Sequence, residues 1–196
     1  VRRFIYLSSI KVNGEEATQQ KPFTAEDSIN TDDPYGLSKY EAEQALKQLA
    51  QETGLEVVII RPVLIYGPNV KANFKSMISL ASKKFPLPVG CLNNKRSMVS
   101  VYNLADLIEV CLSHPNASGQ TFLASDQDDI SVKQLFEKLA SLQNNKLIKL
   151  PVPKNLIFLL ASLVGRSAMA SRLCSELVVN TSKNTQVLGW KAPYST

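Results

Sequence analysis

Hydrophobic and polar positions along the chain of 196 residues change their period from segment to segment, and each change marks an element. Arg3-Phe4-Ile5-Tyr6-Leu7 is short, apolar and β-prone, which predicts a buried strand; Ser8-Ser9 then stand at its C-terminal end. Asp33 and Pro34 have the chemistry of an N-cap and a first helical residue. Behind them Ala42, Ala45, Leu46 and Leu49 recur at helical spacing and predict a core-facing stripe, which Gly54 ends. Val57-Val58-Ile59-Ile60 predicts the next strand, so residues 3–8 and 56–61 are expected in one parallel sheet with the intervening helix packed on it.

The rest of the chain sorts in the same way. A helix is expected over Asn73–Lys84, a break at Phe85-Pro86-Leu87-Pro88, a strand at Met98–Val101 and a helix over Leu104–Ser113 capped by Asn103. Thr121–Ser125 predicts a strand. Ser131-Val132-Lys133-Gln134 reads as a capping box, and Val132, Leu135, Phe136 and Leu139 give its helix a stripe. Leu147–Val152 is expected as a last strand. Leu156–Val164 is apolar but far short of the ~20 residues that span a bilayer, so it is assigned to a buried or interface helix. The alternation of strands and helices predicts an α/β fold.

One pair of polar residues carries candidate chemistry. Tyr35 and Lys39 lie four apart in Tyr35-Gly36-Leu37-Ser38-Lys39, hence one turn apart on one helix face. An ammonium there favours the phenolate over the phenol, whose reference pKa is ~10, and makes the tyrosine usable as a general acid/base. Chance alone supplies roughly 0.5 such spacings in a chain of this composition, so the motif needs its context. That context is Ser9 at the C-terminal end of the first strand, where open α/β sheets place their ligands. The trio suits proton transfer coupled to hydride transfer at a carbinol carbon.

Taken in order, several blocks resemble the extended short-chain dehydrogenases/reductases, in the NAD-dependent epimerase/dehydratase branch that works on nucleotide-diphosphate sugars. They are Phe4 through Gly14, Asp33 through Lys39, and Arg61-Pro62 through Tyr66-Gly67-Pro68. Arg96 through Asp106 follows, then Ser182-Lys183 before Leu188-Gly189-Trp190. The resemblance implies the C-terminal part of a Rossmann-type doubly wound parallel sheet plus a smaller α/β substrate-binding lobe. It implies a partial NAD-binding domain over 1–66, to which 98–113 returns, and a substrate lobe over 67–97 and 114–196. Ser9, Tyr35 and Lys39 would be catalytic. Tyr35, Lys39 and Pro62 would border the cofactor, NAD with NADP as the alternative. Ser9, Asn73 and Arg96 would hold the substrate.

Within the branch the chain is similar to bacterial sugar-nucleotide epimerases and ketoreductases of surface polysaccharide synthesis. A UDP-sugar 4-epimerase is the expected activity. A 4-keto-sugar-nucleotide reductase and a non-catalytic binding or scaffolding relative are the alternatives. Leu64 stands where many 4-epimerases carry asparagine, and Asn13 where many relatives carry tyrosine; leucine cannot supply a polar contact to a sugar. The family opens with a glycine-rich phosphate turn, and the 8 glycines here form no G-x-G-x-x-G. The chain is therefore expected to be the C-terminal part of a longer enzyme, inactive alone. The family's habit of pairing through the tyrosine helix implies a homodimer.

Composition and charge narrow the field further. Cys91, Cys111 and Cys174 form no C-x-x-C pair and suit a reducing cytoplasm as small buried residues. The single His114 excludes histidine-cluster metal sites and a Ser-His hydrolase. The net charge of +5 comes with no basic stripe interleaved with aromatics, so nucleic acid is not expected as a partner, nor is a membrane. Three residues keep structural alternatives: Arg61 as a strand-end anchor, Arg96 as a surface ion pair and Asn73 as a helix cap.

Overall fold

The computed structural model describes residues 2–68, 73–83, 85–163, 165 and 167–195, with the side chains of residues 73, 168, 169 and 172 outside the description. Two compact units are present. The first comprises residues 1–67, 97–129 and 177–196; the second comprises 68–96 and 130–176.

The first unit is built on a parallel sheet of order β1-β2-β6, with β1 at Arg3–Leu7, β2 at Glu56–Pro62 and β6 at Thr121–Ala124. Phe4 pairs with Val57 and Leu7 with Ile60; Ile60 pairs in turn with Phe122. Helix α1, Pro34–Thr53, makes the crossover between β1 and β2. It starts as the residue chemistry predicts: Asp33 accepts from the Gly36 N–H, Pro34 follows, and Gly54 ends it at φ 71°. A second parallel pair joins β3, Leu64–Tyr66, to β5, Met98–Ser100, which leads into α3, Val101–Ser113. The core gathers Val58, Ile60, Val99, Leu107, Phe122 and Leu123, each almost fully buried.

Three expectations are corrected in this unit. Residues 114–129 and 177–196 belong here and not to the second lobe, because β6 extends the main sheet and the C-terminal segment is tied to it. The ties are bridges from Ala17 to Leu177 and from Phe23 to Val179, and the bond from Asn184 Nδ2 to the Leu123 carbonyl. Ser100, not Asn103, caps α3, its Oγ accepting from Tyr102 N–H. The inward face of α1 carries Gly36 and Glu43, while Ala45 and Leu49 of the expected stripe are exposed.

The second unit contains α2 at Asn73–Ala81, β4 at Lys95–Arg96 and β7 at Ile130–Ser131, the two strands antiparallel. The capping box forms at the start of α4, Val132–Leu142, with Ser131 and Gln134 bonded to each other's backbone N–H. Residues 147–152 make no strand; they contribute a single bridge, Lys149 to Leu87. Helices α5, Lys154–Leu163, and α6, Ser167–Cys174, close the unit. Only Ile157 of α5 is buried, so of the expected buried or interface helix the buried form is not what is seen. The final element, α7 at Ser182–Leu188, belongs to the first unit. Residues 84 and 164, the expected last residues of two of these helices, lie outside the described residues.

Candidate functional site

Ser9, Tyr35, Lys39 and Pro62 all fall at one corner of the first unit, at the C-terminal ends of β1 and β2 and the N-terminal turns of α1. Ser9 is the N-cap of a single 3-10 turn, Ile10–Val12; its Oγ accepts from Lys11 N–H at 3.2 Å. That turn abuts α1 at Gly36. A Cβ at this position would lie 2.7 Å from the Lys11 carbonyl oxygen and 2.9 Å from two Thr31 side-chain atoms. Only glycine admits the approach, so the residue after Tyr35 sets how near the Ser9 turn can come.

A salt bridge holds the same two pieces together. Lys11 Nζ reaches Asp33 at 3.1 Å and Glu15 at 2.8 Å, and Asp33 is also the cap of α1. Burial opposes the Lys11 charge, but bonds to Glu15 and Asp33 outweigh it and hold the ammonium above the ordinary lysine range.

Lys39 is aimed by β1. Its ammonium donates to the Leu7 carbonyl at 3.1 Å, lies 4.9 Å from the Tyr6 ring centroid and sits 5.8 Å from that of Tyr35. The Tyr35 ring itself is 52% exposed. It therefore takes its place from the helix backbone more than from packing. Pro62 is buried at the end of β2, in register with Ala124. Ser8, next to Ser9, is buried with an Oγ that finds no partner among the described residues.

Behind this corner runs a network the residue pattern only partly announced. Arg61, 4% exposed, forks onto Glu43 at 2.9 and 2.6 Å and donates from its third nitrogen to Asn13 Oδ1 at 3.0 Å. Asn13 Nδ2 passes the chain on to the Thr24 carbonyl at 2.7 Å. Strand β2, helix α1 and the loop after Ser9 are thus locked by charge-assisted bonds in the interior. Arg61 is the anchor weighed above. Glu43 went unnoticed, although it follows Lys39 by four residues, as Lys39 follows Tyr35.

Arg96 and Asn73 belong to the second unit. Arg96 is half-buried in β4, and burial pulls its guanidinium below the ordinary arginine range. Asn73 is the first residue of α2; its side chain lies outside the described residues. Elsewhere in the first unit, buried Asp126 accepts from Tyr66 OH, Asn103 Nδ2 and Ser100 N–H beside a cleft of about 470 Å³. No signal in the residue pattern pointed to it. No group of acidic, histidine or cysteine side chains among the described residues could hold a metal.

Residues 1–124 match the model of the NAD dependent epimerase/dehydratase family. The chain belongs to that family. It is 48% identical over 194 residues to a UDP-glucose 4-epimerase of Vibrio cholerae, an alignment that takes in 98% of this chain and 59% of the relative. It thus spans about three-fifths of that relative's length. Among solved structures, RMD from Pseudomonas aeruginosa complexed with NADPH superposes with a TM-score of 0.76 at 20% identity, covering 98% of this chain and 62% of the other. The UDP-glucose 4-epimerase of Thermotoga maritima with UDP-glucose gives 0.73 at 20% identity, over 100% and 60%. These neighbours place the epimerase/dehydratase chain in the Rossmann-type α/β fold, as expected from its alternating elements.

Proposed function

We propose that the protein is a UDP-sugar 4-epimerase working by transient NAD-dependent oxidation at C4. One observation carries the reading: the Ser9 turn, Tyr35 and Lys39 share a corner built around Gly36, in a chain 48% identical to the Vibrio cholerae UDP-glucose 4-epimerase. The residues fit the nicotinamide end of the cofactor. Among the described residues the buried Ser8 Oγ at the strand end has no partner, and Lys39, an ammonium with three N–H groups, is seen to give one of them to the Leu7 carbonyl. Lys39 would bond the ribose, with Tyr35 and Pro62 bordering the ring.

A bound nicotinamide dinucleotide supplies a hydride acceptor that can give the hydride back. The chain's own groups move the proton. Tyr35 would take the proton of the sugar C4 hydroxyl when C4 is oxidised and return it when C4 is reduced on the other face. Ser9 accepts from Lys11 N–H, so its own O–H is left to donate to the sugar oxygen. Lys39 places a cation beside the ring on which negative charge resides. Arg96 and Asn73 serve the diphosphate and sugar from the second unit. The first unit then acts as the nicotinamide domain and the second as the substrate lobe. The protein works in the cytoplasm, as three free cysteines allow, in surface polysaccharide synthesis, and as a homodimer through the outer face of α1.

A 4-keto-sugar-nucleotide reductase using NAD(P)H is the second reading, favoured by Leu64 at the start of β3, which offers the sugar no hydrogen bond. The test is Tyr35→Phe in the enzyme at the relatives' full length, assayed for exchange at C4 of UDP-glucose by NMR. The expected loss is roughly 10²–10⁴ in kcat with a small change in KM. Wild-type kcat in the variant would remove Tyr35 from the chemistry, and no turnover by the unmutated protein in either assay would replace both readings by a non-catalytic binding or scaffolding protein. Turnover of a 4-keto sugar with stoichiometric consumption of reduced cofactor selects the reductase. Calorimetry of the 196-residue chain with NAD is expected to show no saturable micromolar binding, since its 8 glycines form no G-x-G-x-x-G turn.

A further inference from the structure

Helix α5 turns its apolar side chains outward. Leu156, Leu159, Leu160 and Leu163 recur at i, i+3, i+4 and i+7, so they form one stripe. They are 44%, 56%, 53% and 75% exposed, and Phe158 is exposed with them. A leucine stripe of this kind normally faces a core, a partner or hydrocarbon. The described residues leave it uncovered. Ten residues make a helix ~15 Å long, half the ~30 Å of a bilayer core. No helix among the described residues is long and apolar enough to cross a membrane.

Charge decides between occupants. The unit that carries α5 holds 13 of the 22 Lys and Arg but only Glu137 and Glu176 of the 17 acids, a formal +11. The other unit sums to −6. From Lys138 to Ser175 the chain has six cations and no acid. Lys146 and Lys154, which precede and open α5, are exposed. A second copy docking symmetrically through this same face would bring another +11 unit against the first. Nucleic acid would meet the cations but leave the leucines in water. An anionic phospholipid surface meets both: leucines enter at the headgroup boundary while lysines stay among the phosphates.

We propose that α5 docks the protein onto anionic phospholipid membranes, lying in the interface plane without spanning it. Flotation with vesicles of phosphatidylglycerol and phosphatidylcholine in equal parts tests this. The chain is expected to float with them, to be released by high salt, and to stay behind with vesicles of phosphatidylcholine alone. Leu159→Glu with Leu160→Glu should abolish flotation, and Lys146→Ala or Lys154→Ala should each lower partitioning about five-fold. All four residues are exposed, so the circular dichroism melt should not move; Leu156→Ser is the milder second variant, with reduced flotation expected. Equal binding to both vesicle types overturns the proposal, as does flotation that survives the glutamates. A dimer that dissociates on Leu159→Glu, without vesicle binding, would assign the stripe to a second copy. Salt-sensitive DNA binding without vesicle binding would assign the charge to nucleic acid.

Discussion

Gly36→Ala separates the position of the proposed catalytic groups from the stability of the fold. The added methyl would stand 2.7 Å from the Lys11 carbonyl oxygen, and 2.9 Å from both Thr31 Cγ2 and Oγ1. That is roughly 0.8 Å inside the ~3.5 Å at which such contacts turn favourable. Thr31 can rotate away, but the Lys11 carbonyl is backbone in the turn that Ser9 caps. Overpacking of this kind costs ~1–3 kcal/mol. Alanine returns up to ~1 kcal/mol of helix propensity. The net loss should therefore be ~0–3 kcal/mol, which most domains survive.

Catalysis is less tolerant. A shift approaching 1 Å between the Ser9 turn and the Tyr35 helix is expected to cost about 10² in kcat. Denaturant melts followed by Trp190 fluorescence read the first quantity, and exchange at C4 of UDP-glucose by the protein at the relatives' full length reads the second. Adding Thr31→Ala removes two of the three close contacts; it should recover stability while leaving kcat low, because the carbonyl contact remains. A folded Gly36→Ala enzyme with wild-type kcat would refute the argument, since the Ser9 turn would then not need to lie where glycine lets it.

Glu43→Ala should destabilise the fold by ~3–5 kcal/mol, because it strands the buried Arg61 guanidinium; a Glu43→Met, Arg61→Met pair should recover most of that loss in denaturant melts. Exposed Cys91 should react with a disulfide reagent at pH 8 while Cys111 stays inert until unfolding, since burial pushes its thiol up to about 11 with Arg3 opposing only weakly. The Cys111 contribution to stability is accordingly present below its ordinary pKa of 9.0 and lost as pH rises toward about 11; Cys111→Ala should flatten that alkaline limb. Hydrogen bonds from Arg3 and then Arg2 hold Glu56 below its ordinary 4.5, so its contribution is complete above 4.5 and lost as pH falls through the lowered value; Glu56→Gln should flatten the acid limb.

Local signals were readable from the residues, and long-range pairings were not. The caps of α1 and the capping box of α4 form as expected because each is decided within four residues. The β1–β2 pair follows from two apolar runs joined by a crossover helix. By contrast Leu147–Val152 alternates like a strand, yet only Lys149 finds a partner in Leu87, and a strand needs a neighbour along its length. Asn103 has the chemistry of a cap, but its side chain is used inside, on Asp126 and on the Tyr194 backbone. Ser100 caps the helix instead. The net charge of +5 concealed two opposite parts, because only the fold says which lysines share a unit. Hydropathy alone places Leu156–Val164 in a buried or an interface helix without choosing between them, because it gives no direction.

The same split explains why the proposed site was easier to find than what supports it. Tyr35 and Lys39 take part in no buried packing; they are set by their spacing on α1 and by the backbone at both ends of the contact, Leu7 and Gly36. Their spacing is visible in the residues because the proposed chemistry needs it. The parts that hold the corner rigid come from residues 13, 43 and 61, far apart in sequence, and two of these are charged residues facing inward where hydropathy expects leucine. A buried, fully bonded pair of this kind is costly to break and need not be stabilising when intact. Its effect is to allow one arrangement of strand, helix and loop and to penalise the rest. Stability and chemistry should therefore come apart under mutation. Changes at Glu43 or Arg61 should lower the melting temperature first, while Tyr35→Phe should leave it in place and remove the proposed proton carrier.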